Sequence, residues 1–148
     1  MRLLLALLIT TPLLRPPASY KVRVLSLASP EELSRWLQGG FVTRLGLGHR
    51  GTVRAGQRTF FPIVAEKVPK GAVLVADFQV FGSDGRLVQS RPACCRAVAK
   101  VAGVVVLDPI PDLLLLPSDM EGLYTATATV RDRSGAERRS REHLVLTQ

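Results

Sequence analysis

From Gly122 to Asp132 the chain alternates without interruption: Tyr124, Ala126, Ala128 and Val130 fall on one side, Thr125, Thr127, Thr129 and Arg131 on the other. A side-chain period of two sustained over this length belongs to a strand with one dry face and one wet face. A helix would scatter both sets around its circumference. Arg133-Ser134-Gly135 supplies a turn, and His143 to Thr147 reads as the returning strand. A hairpin of this kind must cover its dry face with another layer, which makes a sheet-based core the starting expectation.

The remaining segments fit that expectation. Tyr20–Leu27 alternates and reads as a first strand, and 29–40 reads as a short helix: Ser29 is placed to cap it, Pro30 to open it, Glu32 to complete a capping box, and Gly39 or Gly40 to end it. Leu33, Trp36 and Leu37 share one face of that helix and should dock on a sheet. Strands are expected at 41–47, 58–66, 72–81, 86–90, 103–107 and 113–116. Ala72, Leu74, Ala76, Phe78 and Val80 lie on one face of the 72–81 strand, which Ser83-Asp84-Gly85 turns back. Residues 91–102 read as a loop or a single short helix between Pro92 and Gly103. The sum is seven to nine short strands with one N-terminal helix: an all-β, antiparallel sandwich in a single domain.

The N-terminus sets the expected location. Met1-Arg2 is followed by a nearly unbroken apolar run, Leu3–Leu14, the length of a signal-peptide core and too short to span a bilayer. Residues 1–19 are therefore read as a signal peptide and 20–148 as the mature domain, periplasmic or secreted, with no transmembrane span left. Removing Arg2 and Arg15 with that segment lowers the formal net charge from +8 to +6.

Gly122-Leu123-Tyr124, the Thr/Ala alternation after it, and the Phe78–Arg86 strand with its Asp-Gly turn resemble the late strands of immunoglobulin-like β-sandwich domains. In such domains a Tyr near the start of a late strand braces the corner between sheets. The layout also resembles small exported bacterial proteins made of a signal segment and one sandwich. The resemblance implies the sandwich fold and brings no catalytic residues. The Cys…Trp…Cys pin of antibody domains is missing, because Trp36 lies in the helix and the two cysteines, Cys94 and Cys95, are adjacent.

Candidate chemistry is sparse. His49 and His143 form no H-x-x-x-H pair, and C-x-x-C spacing is absent, so no metal or other cofactor is expected. Gly46–Gly51 lacks the Lys-Ser/Thr ending of a phosphate loop. The serines lack a nucleophile elbow, and Asp77, Asp84, Asp108, Asp112 and Asp119 all sit where turns or strand edges use them. Cys94-Cys95 is a candidate redox pair: a vicinal disulfide, a link between chains, or two thiols. The densest charge is Arg131, Arg133, Arg138, Arg139 and Arg141 around the last turn, a candidate contact for an anionic cell-envelope component or an acidic protein. Aromatic residues make up only 5% of the chain, which leaves the arginines without stacking partners and makes nucleic acid the poorer match. The leading expectation is a non-catalytic binding or structural accessory module. The alternatives are an inhibitor or chaperone-like protein that presents residues 103–116 to a client, and a small thiol-dependent enzyme using Cys94 and Cys95.

Overall fold

The computed structural model describes residues 19–38 and 48–148. The expected signal peptide, apart from Ser19, the glycines expected to end the helix and the expected strand at 41–47 lie outside the described residues. Those residues hold one helix, α1 (Glu32–Gln38), and ten strands: β1 (Lys21–Val24), β2 (Gly51–Arg54), β3 (Arg58–Phe60), β4 (Ile63–Val68), β5 (Val73–Phe81), β6 (Leu87–Val98), β7 (Gly103–Val106), β8 (Asp112–Leu114), β9 (Gly122–Arg131) and β10 (Glu137–Thr147). They form a five-stranded sheet in the order β2-β10-β9-β5-β6, a three-stranded sheet β1-β4-β7 and a two-stranded sheet β3-β8. The all-β sandwich is as expected. Every strand pair is antiparallel except β2–β10, which is parallel, Leu144 to Thr147 lying against Gly51 to Arg54.

The alternating strands behave as their period dictates. In β9, Tyr124, Ala126, Ala128 and Val130 are buried; in β5, Leu74, Ala76, Phe78 and Val80 are. These two central strands pair Phe78 with Ala128 and Ala76 with Val130, laying one apolar surface against Ile63 and Ala65 of β4 and Val24 of β1. Phe61 and Phe78 meet with ring centroids 5.4 Å apart, within the range where tilted aromatic pairs attract. The Tyr124 hydroxyl donates to the Met120 carbonyl at 2.5 Å. It reaches back four residues to brace the entry into β9, the role the sequence resemblance implied for it.

Both hairpin turns are held by an aspartate. Asp132 Oδ1 accepts from the amides of Ser134 and Ala136 at 2.9 and 3.1 Å, and Asp84 Oδ1 from the Arg86 amide at 3.0 Å. Gly85 and Gly135 take positive φ values of 78° and 82°, which a β-carbon would disfavour.

Helix α1 begins at Glu32, two residues after the Pro30 start expected. The Ser29 carbonyl, rather than its side chain, takes the Glu32 amide at 3.3 Å, so the first turn is tight. Leu33 and Trp36 are buried with Leu25, Leu27 and Val64, and Leu37 packs at the margin. This small second core lies on the side of β4 opposite Ile63 and Ala65. It explains why Ile63, Val64 and Ala65 are all buried in succession.

Three expectations are corrected. The run 58–66 is two strands in two different sheets, broken at Phe61-Pro62, because Pro62 cannot donate to a ladder and the chain steps from the β8 pairing to the β1 and β7 pairings there. Residues 91–98 are neither loop nor helix: they continue β6, and Pro92 is tolerated because β6 is the sheet edge. The returning strand begins at Glu137 rather than His143, so most of the arginine-rich segment is strand. Residues 103–116 contain β7 and β8, with Leu107, Leu113 and Leu115 buried and Val104, Leu114 and Leu116 exposed. Among the described residues no helix is long and apolar enough to cross a membrane.

Candidate functional site

The outer face of the five-stranded sheet carries Thr125, Thr127 and Thr129 of β9, facing His143, Arg141 and Arg139 of β10 respectively across the ladder. Opposed residues of an antiparallel pair share a face. Arg139 and Arg141 therefore stand together on the outer surface. The Arg139 Nε donates to Thr129 Oγ1 at 3.3 Å, and Thr125 Oγ1 lies 3.2 Å from His143 Nδ1. A shallow groove of about 440 Å³ runs beside them, lined by Phe81, Ser83, Thr125, Thr127, Arg141 and His143 among others.

The arginine cluster read from the sequence is divided. Arg133 is exposed in the turn. Arg138 opposes Val130 and so belongs to the other face from Arg139 and Arg141. It lies near Tyr20, where its charge acts on the phenol. Arg131 is on the outer face but engaged: its Nη1 donates to Asp77 Oδ2 at 2.6 Å. That hydrogen bond is the main reason the Asp77 carboxyl is held below the usual carboxylate range, against the opposing effect of partial burial.

Asp77 also links this face to the cysteines. Its Oδ1 accepts the Ala93 amide at 2.6 Å. Ala93, with φ of 47°, sits in a bulge where Pro92, Ala93 and Cys94 of β6 together oppose Asp77 alone. Immediately after it, Cys94 and Cys95 are joined to each other by a disulfide. Cys95 is wholly buried against the core and Cys94 half-buried. Of the arrangements open to adjacent cysteines, the structure has the vicinal disulfide, and it places neither histidine with it. His49 Nδ1 pairs with Glu142 Oε1 at 2.7 Å, and His143 lies on β10, separated from β6 by β9 and β5. Among the described residues no three of His, Cys, Asp and Glu converge as metal ligands.

A second cleft, of about 370 Å³, opens between β6 and β8 and was not foreseen. Val88, Gln89 and Arg91 form one wall and Asp112 to Leu115 the other. Arg91 Nη2 spans it, donating to the Asp112 carbonyl and to Oδ1, both at 3.2 Å, while Arg58 pairs with Oδ2 of the same carboxylate. Burial pushes the Asp112 carboxyl up, but the hydrogen bonds and charges of Arg58 and Arg91 outweigh it and hold it below the usual range. This cleft had no signal in sequence, because its walls are brought together only by the pairing of distant strands.

No protein-family model and no curated protein sequence matches the chain. Solved structures of similar general layout include the CARDB domain of a Pyrococcus furiosus protein in complex with di-metal ions, with a TM-score of 0.46 and 8% identity over 86% of this chain and 91% of that one. Another is a Niemann-Pick type C2 protein from Japanese carpenter ant, with a TM-score of 0.44 and 6% identity over 88% of this chain and 96% of that one. A third is a Pseudomonas fluorescens alkylpurine DNA glycosylase bound to DNA, with a TM-score of 0.44 and 12% identity, of which this chain spans 31%. The likeness is one of architecture, and the partners of those proteins remain theirs.

Proposed function

We propose that this chain is a non-catalytic binding module, exported by its N-terminal segment, that meets an anionic component of the cell envelope through the outer face of its five-stranded sheet. One observation carries the reading: Arg139 and Arg141 stand on one face of β10, and neither has a carboxylate partner in an ion pair among the described residues. Guanidinium groups held this way present paired donors to phosphate or carboxylate oxygens. The threonine hydroxyls beside them and the groove at Arg141 and His143 add further polar contacts. Strands hold such groups more precisely than loops do.

The test is sedimentation with vesicles of phosphatidylcholine alone and of phosphatidylcholine with phosphatidylglycerol. Binding to the anionic vesicles should fall about thirtyfold in the double variant Arg139→Ser, Arg141→Ser, at ~1 kcal/mol for each arginine near an anionic surface. Arg133→Ser, in the exposed turn, should change it much less. Equal binding by the wild type and the double variant would remove the outer face from consideration. An acidic protein partner would instead appear as loss of vesicle binding with retention of polyglutamate binding.

A further inference from the structure

Two loops are joined at the end of the sandwich where β5 begins: the β4–β5 turn at 69–72 and the β6–β7 loop at 99–102. The Ala99 amide donates to the Ala72 carbonyl at 2.9 Å, and the Gly71 amide donates to the Ala99 carbonyl at 2.7 Å. Gly103 then pairs with Val68 as β7 begins. Ala99 is buried, so the tip beyond it stands on a fixed base.

What this tip exposes is out of keeping with a solvent loop. Turns are ordinarily rich in Gly, Pro, Asn, Asp and Ser, whereas 98–104 reads Val-Ala-Lys-Val-Ala-Gly-Val. Val98, Val101 and Val104 are exposed at 59%, 74% and 47%, and Val101 is the most exposed large hydrophobic residue among those described. The core does not account for them. Val98 faces Val73, one step out of phase with the inward pair Leu74 and Ala97. Val104 is likewise out of phase with Val105, which packs on the main core. The three valines therefore clothe the point and both flanks of a wedge.

The charge around the wedge is of one sign and one residue type. Of the four lysines in the chain, Lys67, Lys70 and Lys100 lie here, all exposed. None of the three is in an ion pair among the described residues. Neither 67–76 nor 91–107 contains an acidic residue, and Glu66, just before Lys67, is half-buried opposite Lys21. A lysine lays its apolar stem along hydrophobic surface and keeps its ammonium in water. Lysine is depleted at protein–protein interfaces, and a second copy would set ammonium against ammonium. An apolar point ringed by such side chains instead matches a lipid interface, with valines below the headgroups and ammoniums among the phosphates. We infer that the 98–104 tip inserts into the interfacial layer of an anionic lipid bilayer. This surface contains neither Arg139 nor Arg141, so it goes beyond the outer-face reading and each can fail without the other.

The experiment uses the chain as recovered after export. The probe is a vesicle of phosphatidylcholine and phosphatidylglycerol with brominated acyl chains, which quench tryptophan at short range. Trp36, the single native tryptophan, is wholly buried and supplies the background measured on the wild type. Val101→Trp should emit further to the blue on binding and be quenched. Ser118→Trp, exposed in the turn before β9 at the opposite end, should do neither. Lys70→Gln with Lys100→Gln should weaken vesicle binding about thirtyfold, the effect of two lysines near an anionic surface. Val101→Ser, which leaves the charge alone, should weaken it about tenfold for the loss of one buried valine. All four positions are exposed, and a thermal melt checks folding. The proposal is overturned if vesicles bind without quenching at position 101, if positions 101 and 118 are quenched alike, or if nothing binds up to about 1 mM lipid, the weak end of measurable association. Vesicle binding without quenching at 101 leaves the outer face as the contact. Quenching at 101 with unchanged binding by the double variant Arg139→Ser, Arg141→Ser upholds the tip and removes the outer face.

Discussion

The Tyr20 hydroxyl donates to the Ala136 carbonyl at 2.9 Å, joining residues 116 positions apart. It also lies 3.3 Å from the Val130 carbonyl, so one phenol fastens the start of the domain to the last hairpin. Burial first, and the nearby Asp132 charge second, push its pKa up from 10.0 to about 12. A phenol with a raised folded pKa contributes stability that is intact below pH 10 and is lost as the pH rises through about 12. Tyr20→Phe should cost ~1 kcal/mol at neutral pH, the usual net value of one hydrogen bond. It should also flatten the alkaline limb of a denaturation series run up to that range. An unchanged alkaline limb would place the loss elsewhere.

Asp77 predicts behaviour at the other end of the pH scale. Its folded pKa is depressed chiefly by the Arg131 hydrogen bond, so its contribution is present above the unfolded carboxylate value of 3.8 and is lost as the pH falls through the lower folded value. Asp77→Asn should be less stable than wild type at pH 7, and the difference should close on acidification. Urea titrations at neutral and acid pH measure this. A gap that widened in acid would show that Asp77 acts through the Ala93 bulge rather than through its charge.

Phe78 is fully buried and packs on Phe61. Phe78→Ala should cost ~3–5 kcal/mol, the range for a large core ring removed without collapse of its surroundings. Phe81→Ala, whose side chain is partly exposed at the outer groove, should cost much less. The contrast, read from denaturant midpoints, tests which face of β5 carries the core.

The disulfide predicts an order of labelling. Native protein should take up no alkylating agent at Cys94 or Cys95 until a reductant is added. Once it is reduced, half-buried Cys94 should react before fully buried Cys95. Mass spectrometry of peptides from a time course separates the two. Simultaneous labelling would mean that reduction opens this part of the core.

How far the sequence foretold this depends on what each strand has to satisfy. Central strands β5 and β9 must bury one face and wet the other, so their period of two is explicit in the residues. Strand β6 was misread because an edge answers to weaker demands: Pro92 is tolerated, Ala93 takes a left-handed turn, and Gln89 and Arg91 face inward where the cleft keeps them solvated. The 58–66 run hid its break because Val64 is apolar for the sake of the α1 core and Ile63 and Ala65 for the main one. For the candidate site, the sequence marks Arg131, Arg133, Arg138, Arg139 and Arg141 only as one charged cluster around the turn; that Arg139 and Arg141 share a face follows from the β10 pairing. The opposite position of Arg138 follows in the same way, from the strand's start at Glu137 rather than His143. The β6–β8 cleft, in contrast, depends on a pairing of distant segments that no local pattern encodes.

The bulge in β6 has a consequence for how this sequence can vary. Between the pairs Ala76–Cys95 and Phe78–Arg91, β6 uses two residues more than β5 does. An even surplus keeps inside and outside in step on both sides of it. Loss of two residues there would shorten the edge and leave every other side chain on its present face. Loss of one would turn Leu87–Arg91 over and carry Arg91 away from Asp112. Natural relatives of this domain should therefore differ at the bulge by pairs of residues, a pattern of length variation that comparison of their sequences would reveal.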